Sequence, residues 1–97
     1  MSHASITVAE GLTMADYLAV GEHLGPDPAE GLISEVAGSN EAGLHVITVW
    51  ESKADHDRFV AERLVPAFQA AGLRPGPMSL TDVPLGAVYL RSDAPVS

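Results

Sequence analysis

The chain has no cysteine among its 97 residues. Disulfides, zinc–thiolate sites and thiol nucleophiles are thereby excluded. Positive charge is scarce too: 5 Lys and Arg stand against 13 Asp and Glu, for a formal net charge of −8. Binding to nucleic acid phosphates needs clustered cations, and so does adhesion to an anionic membrane surface, so neither partner is expected. Aromatic residues are few (one Trp, two Tyr and two Phe), which predicts a mostly aliphatic core. No apolar run approaches the ~20 residues needed to span a bilayer. The N-terminus shows no basic region followed by an apolar stretch, so no signal peptide is expected and a cytoplasmic location is the default. A Gly-rich dinucleotide fingerprint is absent as well.

What is present organises itself around residues 43–72, GLHVITVWES followed by KADHDRFVAERLVPAFQAAG. Residues 44–50 are apolar or β-branched except for His45, the pattern of a strand covered on both faces. Ser52 and Asp55 have the spacing of an N-cap hydroxyl and its acidic partner. The helix that follows is predicted to end at Gly72, which takes the left-handed conformation without steric cost. Phe59, Val60, Leu64, Ala67, Phe68 and Ala71 form its apolar stripe. Pro66 interrupts that stripe and is expected to bend or divide the helix near Val65, because it has no N–H to donate and clashes with the preceding turn.

Upstream, residues 4–9 read as a strand, broken by Gly11. Thr13 and Asp16 are placed to cap a helix over residues 14–24, whose apolar face carries Met14, Tyr17, Leu18 and Leu24. Residues 31–37 form a second strand, joined by turn residues 38–43 to the third as an antiparallel hairpin. Residues 78–83 form a fourth strand, residues 85–90 a further short one, and residues 91–97 a frayed tail. The order β-α-β-β-α-β predicts one α+β domain over residues 1–97, a ferredoxin-like antiparallel sheet with both helices on one face. The continuous apolar runs of the middle strands call for a cover on the other face, for which a second copy of the chain is the simplest candidate.

The pattern GLISEVAG, a turn, GLHVITVWES and then DRFVAERLVPAFQAAG resembles the dimeric α/β-barrel superfamily. Within it, the likeness is to small actinobacterial proteins of the antibiotic biosynthesis monooxygenase-like group. The resemblance implies a homodimer whose two sheets face each other as a barrel, with an apolar pocket between sheet and helices in each subunit. It implies cofactor-independent oxygenases among its enzymes, alongside isomerases and haem-degrading proteins. Haem-degrading members share the end of the third strand but carry a second Trp and a haem-ligating His where this chain has Phe59 and Gln69, and Gln69 is no substitute for an axial imidazole. Many small relatives carry a His where this chain has Glu35.

Glu35 and His45 are polar side chains in otherwise apolar strands. If Val36 lies opposite Leu44, the two face each other about 5 Å apart at Cβ, and a carboxylate–imidazole pair in a pocket can remove a proton from a phenol or an activated C–H. The competing reading is an interface or exposed ion pair. Trp50, Tyr17, Phe59 and Phe68 are the candidate substrate-contacting residues; the competing role for Trp50 is a core anchor of the sheet to the second helix, and for Tyr17 a hydroxyl that simply reaches the surface. His56, between Asp55 and Asp57, is expected to be exposed, and those consecutive positions do not make a metal site; no metal and no cofactor are predicted. Two functions fit: a cofactor-independent oxygenase or isomerase acting on a small apolar or aromatic metabolite by general-base catalysis, or a non-catalytic dimeric module that binds a metabolite or a protein.

Overall fold

A computed structural model of the chain describes residues 1–74 and 76–90. Its elements run β1 (His3–Ala9), α1 (Met14–Leu24), β2 (Leu32–Asn40), β3 (Gly43–Trp50), α2 (Lys53–Phe59), a π-helical segment (Val60–Leu64), α3 (Val65–Ala70) and β4 (Met78–Pro84). The strands form one antiparallel sheet in the order β2-β3-β1-β4. This is the expected ferredoxin-like α+β arrangement. Residues 85–90, predicted as a strand, form none; Leu85 instead donates its N–H to the Ser2 carbonyl at 2.8 Å. The predicted frayed tail, residues 91–97, lies outside the described residues.

Both helix starts use the capping pairs the sequence announces. Asp16 N–H donates to Thr13 Oγ1 at 3.3 Å while Thr13 N–H donates to Asp16 Oδ2 at 2.9 Å, a reciprocal box built with Asp where Glu is usual. Asp55 N–H donates to Ser52 Oγ at 3.2 Å, and the Ser52 hydroxyl returns to Asp55 Oδ2 at 2.9 Å. Pro66 divides the second helical stretch as predicted, and the division takes the form of a π turn. Val65 N–H bonds to the Val60 carbonyl, five residues back, and the widened turn lets the proline ring enter the first turn of α3, where its missing N–H is harmless.

The hairpin between β2 and β3 is tighter than expected. β2 continues to Asn40, which pairs with Gly43, and Asn40 Oδ1 accepts the Ala42 N–H at 2.8 Å, a side-chain turn of the kind asparagine favours. Gly43 has φ +123, and a Cβ there would collide with the Ala9 carbonyl oxygen, so any side chain would push β3 away from β1.

The sheet distributes its side chains unusually. On β1 the row facing the helices is His3, Ser5, Thr7 and Ala9, all polar or small, whereas Ala4, Ile6 and Val8 face away. On β3, Leu44, Val46, Thr48 and Trp50 face the helices while His45, Ile47 and Val49 face away. The outer face therefore leaves Val36 60%, Ile47 40% and Val83 37% exposed.

The helix layer touches the sheet chiefly at its two ends. At one, Ala9, Leu12 and Leu44 form a buried cluster against which Met14, Tyr17, Val46 and Phe68 pack. At the other, Trp50, 1% exposed, lies against Phe59 at 5.3 Å and edge-on to His56 at 5.6 Å between ring centroids. Arg63 binds carbonyls of its own chain. Its guanidinium donates to Leu24 at 3.0 Å, Asp27 at 2.9 Å and Pro28 at 3.3 Å, and it lies 5.5 Å from the Phe59 ring centroid. These bonds tie the end of α1 to the π segment. Removing them in Arg63→Ala is expected to cost about 2 kcal/mol in urea unfolding, because each bond has a charged donor. Arg63→Lys is expected to recover little of that, since a point ammonium cannot reproduce the planar fork.

Candidate active site

Between the two contact points the helices stand off the sheet and leave a cavity of about 800 Å³ that is partly open to solvent. That is within the ordinary size of small-molecule pockets. Its origin is visible in β1, where Ser5, Thr7 and Ala9 are too short to fill the space beneath α1 and the π segment. The walls are mainly apolar, with Val46, Phe59, Leu64, Phe68 and Leu80 among them.

On the sheet floor, polar groups are concentrated toward the Trp50 end, while Asp16 of α1 also borders the cavity. Strand register aligns Glu35, Thr48, Ser5 and Asp82 across all four strands as one rung. The next rung carries Trp50 opposite His3. In the other direction the rungs are Val46, Thr7 and Leu80, then Leu44, Ala9 and Met78. The floor is thus polar at one end and largely apolar along the rest.

Glu35 reaches this face because of a β-bulge. Leu32 pairs with Trp50, but Ser34 pairs with Val49, so Ile33 is an extra residue in β2. The inserted residue reverses the facing of everything after it, and Glu35 turns toward the helices. There the Tyr17 hydroxyl donates to Glu35 Oε2. Burial first, then that bond and the adjacent carboxylate charge, push the Tyr17 hydroxyl from its ordinary 10.0 up to about 12. Tyr17 is therefore a neutral donor throughout the physiological range.

His45 is elsewhere. The register anticipated from the turn does not hold: Glu35 pairs with Thr48 and His45 with Gly38. The difference is an odd number of residues, which puts the two side chains on opposite faces. His45 lies half-buried on the outer face, with its Nδ1–H directed at the Gly43 carbonyl at 3.2 Å. The sheet does not bring the anticipated pair together.

The remaining candidate contact residues, Tyr17, Trp50, Phe59 and Phe68, all line the cavity. Trp50 also satisfies its own polar atom, donating Nε1–H to Thr48 Oγ1 at 2.8 Å.

His56 is the residue that sequence reasoning missed. Expected to be exposed, it is buried at 8% and lines the cavity. Its Nδ1 stands 3.1 Å from Asp57 Oδ1. The signal was available in retrospect: His56 lies three residues before Phe59 and so shares its side of the helix. Asp57 in turn accepts from Lys53 Nζ at 2.7 Å. Those bonds, Lys53 first and His56 second, hold its carboxyl below the usual carboxylate range. Nearby, His3 Nε2 donates to Asp82 Oδ1 at 2.8 Å, its ring 6.1 Å from that of His56. Among the described residues no three His, Cys, Asp or Glu side chains are grouped to hold a metal ion, and no helix is long and apolar enough to cross a membrane.

No family model matches the chain, and no curated protein does. Solved structures do share its fold. Rv0793 from Mycobacterium tuberculosis superposes with a TM-score of 0.67 at 16% identity, over 92% of this chain and 100% of that one. A monooxygenase from the gene ActVA-Orf6 of Streptomyces coelicolor, solved with nanaomycin D, gives 0.57 at 20% identity, over 92% and 91%. The cofactor-independent oxygenase SnoaB from Streptomyces nogalater, solved as a mutant, gives 0.57 at 11% identity, over 90% and 93%. The chain thus shares the fold of these proteins, as the sequence pattern implied.

The Tyr17–Glu35 bond has a signature in stability. Because the fold keeps Tyr17 protonated above its ordinary 10.0, the contribution is complete below pH 10. It is lost as the pH rises to about 12, where the unfolded chain alone has released the proton. Melting temperatures measured across that window are expected to fall more steeply for the native chain than for Tyr17→Phe.

Proposed function

We propose that the chain oxygenates a small apolar, aromatic metabolite bound in the cavity, without a cofactor, and that Glu35 is the general base. The observation that carries this reading is a roomy apolar cavity whose floor is polar toward one end, with a carboxylate turned to the helix side by a bulge, at the cavity's exposed edge, and held by a phenol. A carboxylate in this position can take a proton from an activated C–H of a bound ring. The electron pair stays on the ligand as a stabilised carbanion. Dioxygen then supplies the oxidant: the carbanion and O₂ form a C–O bond, and protonation gives a hydroperoxide. Loss of the second C–H proton with cleavage of the O–O bond leaves a carbonyl and releases water. An isomerase would share the first step and return the proton to another carbon. Tyr17 holds Glu35 in place, and Phe59 and Phe68 supply apolar faces for the ring. The fold shared with two oxygenases supports this reading.

We further propose that two copies pair through the outer face of the sheet, where Val36, Ile47 and Val83 are exposed. Aliphatic side chains of one sheet side by side are a self-complementary surface. Light scattering is expected to give twice the chain mass, and Ile47→Asp to give one.

Oxygen uptake with anthrone- and naphthol-type substrates tests the activity. Glu35→Gln is expected to lower turnover by roughly 10²- to 10⁴-fold while still binding the ligand. Binding is read from quenching of Trp50, the only tryptophan. His45→Ala, altered on the far face of the sheet, is expected to leave turnover unchanged. Quenching without oxygen uptake for any member of the series would favour the binding module.

A further inference from the structure

Among the titratable groups that line the cavity, His56 has no part in the steps proposed above. His56 is buried at 8%, although it carries an imidazole that water would otherwise solvate. Its surroundings define its state. Nδ1 faces Asp57 Oδ1 at 3.1 Å, and an ionised carboxylate only accepts, so Nδ1 carries the hydrogen. Nε2 is then the basic nitrogen with a free lone pair. It has no hydrogen-bond partner among the described residues, yet no buried side-chain nitrogen there is left unsatisfied. Nε2 therefore retains some open surface, and His56 belongs to the cavity wall. The arrangement is a histidine oriented by a carboxylate, which fixes the tautomer that leaves Nε2 free to accept.

We propose that His56 Nε2 accepts the proton of an acidic hydroxyl at the polar end of the cavity ligand, which makes the ligand a phenol bound with its hydroxyl toward Trp50. The proposal rests on the cavity being an aromatic ligand site. In the step, the ligand O–H bond breaks and an N–H bond forms at Nε2. The electron pair remains on oxygen as a phenolate, and nothing is oxidised or reduced. The phenolate is itself a resonance-stabilised carbanion at its ring carbons and can add dioxygen there, so in a phenolic ligand His56 makes the first deprotonation and Glu35 takes the C–H proton lost when the O–O bond breaks.

The groups packed around His56 are compatible with a positive ring. Trp50 presents its ring at 76° and 5.6 Å. Asp57 is the adjacent carboxylate and is itself held by Lys53. From β1, His3 stands 6.1 Å away, its Nε2 committed to Asp82 on β4. Two carboxylates thus attend two imidazoles, with the Lys53 ammonium on the far side of Asp57. The cavity floor beneath offers the Ser5 and Thr48 hydroxyls, both buried, as partners for the phenolate oxygen.

The test uses 4-nitrophenol, whose visible absorbance reports its ionisation, and 4-nitroanisole, which has no proton to give. Both are titrated into the full-length chain below the solution pKa of the phenol. Quenching of Trp50 measures binding and absorbance measures the ionised fraction. The native chain is expected to bind both probes and to raise the phenolate-to-phenol ratio of bound nitrophenol about tenfold, equivalent to one pKa unit. His56→Gln is expected to bind both probes and lose that rise, whereas His3→Gln keeps it. ¹⁵N spectra of the native chain give a second measurement that needs no variant: the His56 ring should become doubly protonated on binding nitrophenol and not on binding nitroanisole. Binding of both probes with an unshifted phenol, or a shift that survives His56→Gln, overturns the His56 proposal and leaves the cavity reading intact. Failure of either probe to bind up to its solubility overturns the cavity reading, and this proposal with it.

Discussion

Trp50 sets the spacing on which the site depends. Its ring is the largest fully buried side chain, closed in by Thr48, His56 and Phe59. It props the start of the helical layer away from the sheet, as the cluster around Leu44 and Phe68 does at the other end. Between two such supports, a central strand with only Ser5, Thr7 and Ala9 on its inner row cannot fill the gap. The hollow is a consequence of side-chain length, and the pocket persists because both ends are packed to a fixed height.

This design has a thermodynamic cost. A chain of 97 residues already buries a modest fraction of its surface, and here part of the interior is left open. Aliphatic bulk that would have filled it lies on the opposite face of the sheet. The fold compensates with local polar devices: two capped helix starts, an asparagine turn, and an arginine that collects three carbonyls. Such bonds contribute about 1 kcal/mol apiece, less than a filled core would, and they are insensitive to what occupies the cavity.

The sequence carried the architecture well because its signals were local. Thr13 with Asp16, Ser52 with Asp55, Gly72 after the last helical turn and Pro66 within it each act within a few residues, and each was found where expected. The site was harder because it depends on register. Which face Glu35 occupies is decided by a single inserted residue, Ile33, and nothing in ISEV announces a bulge. A tight turn at Asn40 then moved the β2 partners of β3, separating Glu35 from His45. His56 was hidden differently: flanking aspartates suggested solvent, while its helical phase with Phe59 pointed inward. Long-range facing, unlike capping, is settled by the whole sheet at once.

The π turn before Pro66 has a consequence for how this helical layer tolerates change in length. A π turn holds one residue more than the α-helical turn it replaces, so Val60–Leu64 contains in effect an insertion already absorbed. Each residue of an α-helix advances the azimuth by about 100°, and the extra one determines how α3 is rotated relative to α2. Excising it would straighten the rod and swing Phe68 by a quarter turn or more, away from the cluster of Ala9, Leu12 and Leu44 that it now packs against. The two halves of the layer are therefore geared to each other through this wide turn. Phe59 and Phe68, which border the same hollow, keep their common heading only while that gear ratio is preserved.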